Sequence, residues 1–172
     1  IGAGAIEFAR RAMKGVKIPP EKEEELMKSF LINYSKTQAI STKPFKSTTE
    51  MLKTLQKRGY LLAIASNKPQ MLLEPIVKQL FPDIKFAVAY GQRVNKPEKP
   101  DPTIIFDIMK ELNLNAEDCI YVGDSDYDYW TAHNAGVDSV ICLYGYGFYD
   151  KDFVNRCTYK VGSVKELADL LK

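Results

Sequence analysis

The chain has 172 residues, of which 45% are hydrophobic and 27% charged, a length and composition that fit one globular domain with a sizeable core and exclude a disordered chain. Lys plus Arg against Asp plus Glu is 24 against 22, a formal charge of +2, which excludes the strong basic field of a nucleic-acid binder and the acidic tail of a solvating region. No run approaches the roughly 18 to 20 apolar residues of a membrane span, since LLAIAS and CIYVG are short and bounded by polar residues.

The chain opens on Ile1 rather than Met, and IGAGAIEFARRAM has neither a basic leader nor a continuous apolar stretch. No signal peptide is expected, and the chain is expected to begin inside a longer, soluble, cytoplasmic polypeptide. Ala5, Phe8, Ala9 and Ala12 recur at helical spacing up to Gly15, and after Pro19-Pro20 a second helix is predicted over 21–36 with Leu26, Phe30 and Ile32 on its apolar side. Residues 37–47 are polar and read as a linker. The pattern then alternates: helix 48–58 stopped by Gly59, strand 60–66, helix 69–81, strand 85–90, a polar loop, helix 101–113, strand 118–123, helix 126–136, strand 139–144 and a last helix over 163–171. Cys119, Cys142 and Cys157 are odd in number and lack CxxC spacing, which predicts reduced, buried thiols.

Strands alternating with helices of this length predict an α/β fold, a doubly wound parallel sheet with helices on both faces. In such sheets sites lie at the carboxyl ends of the strands. Ser66-Asn67 follows the first strand, the loop GQRVNKPEKPDP with Lys96 and Lys99 follows the second, GDSDYD follows the third and GYG the fourth. Each has a plain structural use: Ser66-Asn67 as a helix cap, Lys99 as a solvated charge, Ser125 or Asp126 as a cap. Three carboxylates within five residues, Asp124, Asp126 and Asp128, repel one another unless a cation, a lysine or a helix N-terminus offsets them. Oxygen ligands at that density suit Mg2+. An EF-hand loop is excluded, because its sixth position would be Tyr129 instead of Gly and its twelfth Ala135 instead of Glu.

The order Ser66-Asn67, Lys99-Pro100-Asp101-Pro102, then Val122-Gly123-Asp124-Ser125 with Asp128 resembles the haloacid dehalogenase (HAD) superfamily, with its Rossmann-like core, and within it the phosphoglycolate phosphatase-like branch. The resemblance covers most of the chain: residues 1–40 correspond to the remnant of a small α-helical cap and 41–172 to the core without its first strand, Pro44-Phe45 re-entering that core. It implies Mg2+-dependent hydrolysis of a small phosphorylated metabolite such as 2-phosphoglycolate through an aspartyl-phosphate. Ser66 and the backbone of Asn67 would then hold phosphoryl oxygens, Lys99 would neutralise phosphate and nucleophile, and Asp124 would bind the metal with support from Ser125. Asp128 would either complete the metal shell through water or hold Lys99.

Two features depart from the family. The Asp-x-Asp-Gly-Thr motif, whose two carboxylates act as nucleophile and as general acid and base, is absent from the 172 residues and is expected upstream of Ile1. Lys46 and Ser47 stand where the family has Pro and Gly. On the cap remnant, Gly2 and Gly4 at a helix start, with Arg10 and Arg11 following, are candidates for an anionic substrate group, although turn-forming glycines and solvated arginines are the ordinary alternatives. His133 reads as a surface position, and Tyr127 with Trp130, three apart on a helix, as core. A phosphosugar mutase or a dehalogenase on the same scaffold, or a non-catalytic phosphate-binding module, are the competing readings.

Overall fold

The computed structural model describes residues 9, 11, 13, 14, 16, 19–147 and 149–172. Most of the first predicted helix, Gly2 and Gly4 included, lies outside the described residues.

Helix α1 (Pro20–Thr37) starts with proline in its first turn, carries Glu21 and Glu23 there and Lys36 in its last turn, an order that suits the helix dipole. The linker returns through Phe45, whose ring packs edge-on against Tyr144 at 5.2 Å and beside Tyr146 at 5.7 Å. The core then runs α2 (Thr48–Lys57), β1 (Ala63–Pro69), α3 (Gln70–Leu80), β2 (Val88–Gln92), α4 (Thr103–Leu112), β3 (Ile120–Gly123), α5 (Asp126–Ala135), β4 (Asp138–Cys142), α6 (Lys151–Arg156), β5 (Tyr159–Val161) and α7 (Val164–Leu170).

All strand pairs are parallel, and the α/β architecture with helices on both faces is as expected. Strand β4 is the most buried, with Val140 and Ile141 fully covered. On one face Leu55 of α2 and Leu167 of α7 pack over Val140, Cys142 and Val161. On the other, Ile104 and Ile105 of α4 pack with Ala132 and Ala135 of α5, against Ala65, Tyr90 and Tyr121. Burying such side chains stabilises the fold by about 1.5 to 3 kcal/mol each.

Three features differ from the sequence-based reading. The strands form two parallel sheets, β1 with β2 and β3-β4-β5, instead of one. Among the described residues β1 and β3 each have one unpaired edge, and Tyr121 Oη of β3 donates to the Ala65 carbonyl of β1 at 3.4 Å. Ile120 and Val122 remain 38% and 40% exposed, high for apolar strand residues flanking a core. Strand β5 and helix α6 went unread, because a three-residue strand, Tyr159–Val161, carries no periodic signal. Trp130 is exposed instead of core, since the buried face of α5 is built from Asp128, Thr131, Ala132 and Ala135 and the large ring is turned outward against Tyr129 and His133.

Ser47, at the start of α2, has φ +67. Left-handed backbone at a non-glycine residue is strained by about 1 kcal/mol. Ser47→Gly is therefore expected to raise the thermal midpoint by about 2 to 4 °C, measured by calorimetry, with no change in the cavity described below.

Candidate active site

The carboxyl ends of β1 and β3 open on one cavity of about 500 Å³ whose wall includes Ser66, Asn67, Lys68, Lys99, Asp124 and Asp128. Asp128 organises it. Ser125 caps α5 by accepting from the Asp128 N–H, and Asp128 Oδ2 in turn accepts from the Ser125 N–H at 3.0 Å, the Ser125 hydroxyl at 2.6 Å and the Asp124 N–H at 3.0 Å. This reciprocal cap satisfies donors that the helix start would otherwise leave unpaired. Asp128 Oδ1 accepts from Lys99 Nζ at 2.6 Å and from Tyr121 Oη at 3.1 Å.

The Lys99 and Asp128 side chains are only 10% and 8% exposed, so the pair works at low dielectric, where removing one partner is costly. Burial alone would push the Asp128 carboxyl up, but Lys99 and the Ser125 hydroxyl outweigh it and hold it below the usual carboxylate value. Burial, and then the neighbouring Asp128 charge, push Tyr121 well above the ordinary phenol value, so it stays a hydrogen-bond donor. Lys99 Nζ also lies 3.1 Å from Tyr121 Oη and 3.4 Å from the Ala65 carbonyl.

Asn67 positions the lysine loop. Its side chain, 5% exposed, accepts from the Lys99 N–H at 2.8 Å and donates to the Lys99 carbonyl at 3.2 Å, a two-point clamp on that peptide. Ser66 does not cap α3; its hydroxyl oxygen accepts from the Lys68 N–H at 3.1 Å, which leaves its O–H to donate into the cavity.

Asp124 is fixed from the loop after β4. Its Oδ2 accepts from the Tyr146 N–H at 2.7 Å, and its carbonyl accepts from the Tyr149 hydroxyl, which also donates to the Cys142 carbonyl. Burial and the Asp124 charge push the Tyr149 phenol up to about 12. A Cβ on Gly145 would run into the Asp124 carboxylate. Gly145→Ala is therefore expected to displace that carboxylate and weaken divalent-metal binding by about tenfold or more, measured by calorimetric titration.

The donor set fits a single-carboxylate contribution to a Mg2+ shell. Among the described residues no group of three or more His, Cys, Asp and Glu side chains converges to hold a metal. Asp128 and Ser125, expected near the metal, direct their oxygens to each other and to Lys99, whereas Asp124 Oδ1 keeps its lone pairs. Mg2+ commonly takes one or two carboxylates with water and phosphate oxygens. Ser66, Asn67, Lys99, Asp124, Ser125 and Asp128 thus come together around one cavity. Arg11 is exposed and is not part of its wall, and Gly2 and Gly4 lie outside the described residues.

Sequence reading missed Tyr121, which looked like an interior strand residue, and Tyr149, which carries no local signal. It also missed Lys68 and its partners on α1. Lys68 Nζ donates to Gln38 Oε1 at 2.8 Å and to Tyr34 Oη at 3.1 Å, and sits 4.4 Å from the Tyr34 ring centroid. Gln38 is buried and donates to the Leu72 carbonyl at 3.0 Å. The signal available was alternation, since Lys68 lies two residues beyond Ser66.

The α/β scaffold brings a hydroxyl, a clamped lysine and two aspartates to its strand ends, the arrangement of a candidate catalytic site. Residues 8–142 match the family model described as haloacid dehalogenase-like hydrolase. The chain is 35% identical over 153 residues to a phosphoglycolate phosphatase from Colwellia psychrerythraea, covering 86% of this chain and 68% of that protein. It is 31% identical over 150 residues to phosphoglycolate phosphatase 1 from Pseudomonas aeruginosa, covering 85% of this chain and 55% of that protein. A solved structure from Haemophilus somnus, described as a predicted phosphoglycolate phosphatase, superimposes with a TM-score of 0.87 at 22% identity, covering 100% of this chain and 79% of that one. The chain belongs to the haloacid dehalogenase-like hydrolase family. It spans between about half and two thirds of the length of these curated relatives.

Proposed function

We propose that the polypeptide carrying this chain is a cytoplasmic Mg2+-dependent phosphatase that hydrolyses a small phosphate monoester resembling 2-phosphoglycolate. The observation that carries the reading is the convergence of Ser66, Lys99 and Asp124 on one cavity, with Asn67 and Asp128 holding the lysine from both sides. Phosphoryl transfer spreads negative charge over the equatorial oxygens, so fixed donors and cations aimed at them lower the barrier. The Ser66 hydroxyl donates to one oxygen. Lys99 supplies the positive charge, and its longest contact, 3.4 Å to the Ala65 carbonyl, is the one exchanged when a phosphate arrives. Asp124 would hold Mg2+, which would supply further neutralisation of the phosphate and nucleophile. Helix α1, whose Phe30 and Tyr34 line the cavity, acts as part of a helical cap.

The attacking and proton-transferring carboxylates belong, on this reading, to an Asp-x-Asp-Gly-Thr segment on a strand upstream of Ile1. The unpaired edges of β1 and β3, flanked by exposed Ile120 and Val122, suit such a strand. The 172 residues alone are then expected to be inactive. Assaying the complete polypeptide against a panel of phosphate monoesters, with Mg2+ and with chelator, tests this. Turnover that requires Mg2+ supports it, while phosphate binding without turnover of any ester supports the non-catalytic module instead.

A further inference from the structure

We infer that Lys68 is a specificity-determining residue that recognises a second anionic group, a carboxylate, on the substrate. The inference rests on the phosphatase reading for its substrate but on its own geometry for the residue. Lys99 is neutralised by Asp128 at 2.6 Å. Asp124 is the carboxylate left for a cation. Lys68, also in the wall of the cavity, has only neutral partners among the described residues: the Tyr34 hydroxyl, the Gln38 amide oxygen and the Tyr34 ring. A half-buried ammonium so placed lacks a counter-charge, and bringing it partly out of water without one is unfavourable.

The three contacts hold the ammonium without neutralising it. Gln38 is itself anchored by the Leu72 carbonyl at 3.0 Å, so the lysine does not need to be ordered when a ligand binds, which lowers the entropy lost. The cavity therefore presents two cations of different status: Lys99, which Asp128 holds in place for the phosphate, and Lys68, which has no acidic partner among the described residues. A phosphate ester bearing a carboxylate a short distance from its phosphorus satisfies both ends, whereas a neutral phosphosugar leaves Lys68 uncompensated. Specificity of this kind arises from the penalty on the ligand that fails to pair a buried polar group.

A pair of non-hydrolysable ligands separates this inference from the catalytic reading: 3-phosphonopropanoate and 3-hydroxypropylphosphonate, alike except that the second carries a hydroxymethyl group in place of the carboxylate. Their affinities for the complete polypeptide are measured by calorimetric titration, for the wild type, Lys68→Gln and Lys68→Arg. The wild type is expected to prefer the carboxylated ligand by about tenfold or more, the effect of one charge-assisted hydrogen bond. Lys68→Gln is expected to lose that preference while binding the hydroxyl ligand within about threefold of wild type, and Lys68→Arg to keep most of it. Thermal midpoints measured alongside identify a folding defect, in which case Lys68→Met, which keeps the length of the stem without its charge, carries the comparison.

A lysine that only ties α1 to β1 would weaken both ligands equally on replacement, and that result overturns the inference. So does a wild type that binds the two ligands alike, or neither. Failure of the catalytic reading shows separately, as retained discrimination between the phosphonates with no hydrolysis of 2-phosphoglycolate.

Discussion

Lys99→Met is expected to lower the unfolding free energy by about 3 to 5 kcal/mol at neutral pH. The methionine fills much of the same space, so the loss comes from electrostatics: Asp128 keeps its buried carboxylate, 8% exposed, without the ammonium at 2.6 Å. The pH dependence identifies the cause. In the wild type the Asp128 pKa is held below its unfolded value by Lys99 against the opposing effect of burial. Its stabilisation is thus complete above the ordinary carboxylate range, near pH 4, and is lost as pH falls through the depressed native value. In Lys99→Met burial is opposed by the Ser125 hydroxyl and the Asp124 N–H without the ammonium, so the variant's deficit is greatest at neutral pH and narrows as acid protonates Asp128. Urea unfolding at pH 7 and pH 4 measures this. Adding Asp128→Asn to Lys99→Met is expected to restore part of the lost stability, since the two sites couple directly. A deficit independent of pH would mean that packing, not the ion pair, holds Lys99.

Asp124→Asn is expected to leave the fold intact and to reduce Mg2+-dependent phosphate release by the complete polypeptide at least about a hundredfold. Asparagine retains an oxygen to accept from the Tyr146 N–H, the contact of 2.7 Å that aims the side chain, so its shape and anchoring persist while its charge is lost. Steady-state rates over a Mg2+ titration measure the effect: the apparent Mg2+ affinity falls together with the rate. Unchanged Mg2+ dependence in Asp124→Asn would remove Asp124 from the metal shell.

The two replacements act on different parts of one arrangement. Asp128 saturates its oxygens with Lys99, Tyr121 and the start of α5, so it serves as a positioning group. Asp124, one turn earlier, is gripped by a backbone N–H and a tyrosine hydroxyl, leaving one carboxylate oxygen for a ligand. Charge separation along the loop Gly123–Asp128 is thus achieved by hydrogen bonding rather than by distance.

Much of this was legible in the sequence because the informative residues obey local rules. Val140, Ile141 and Cys142 form an apolar run because both faces of β4 are covered, and Ser125 with Asp128 forms a reciprocal cap at a spacing fixed by the helix. What escaped depends on contacts between distant segments. Lys68 meets Tyr34 across 34 residues of chain and Gln38 across 30; Tyr149 meets Asp124 across 25. No periodicity records such pairs. The division of the strands into two sheets was equally hidden, since the apolar character of Ile120 and Val122 is the same whether or not a neighbour covers them.

The most direct measurement is a crystal structure of the complete polypeptide soaked with Mg2+ and tungstate, an electron-dense phosphate mimic. The tungstate is predicted to sit between the Ser66 hydroxyl, the Asn67 backbone and the Lys99 ammonium, with Mg2+ on Asp124 and with Asp128 still bound to Lys99. Tungstate bound elsewhere with this cavity empty, or Mg2+ ligated by Asp128 after displacing Lys99, would contradict the account.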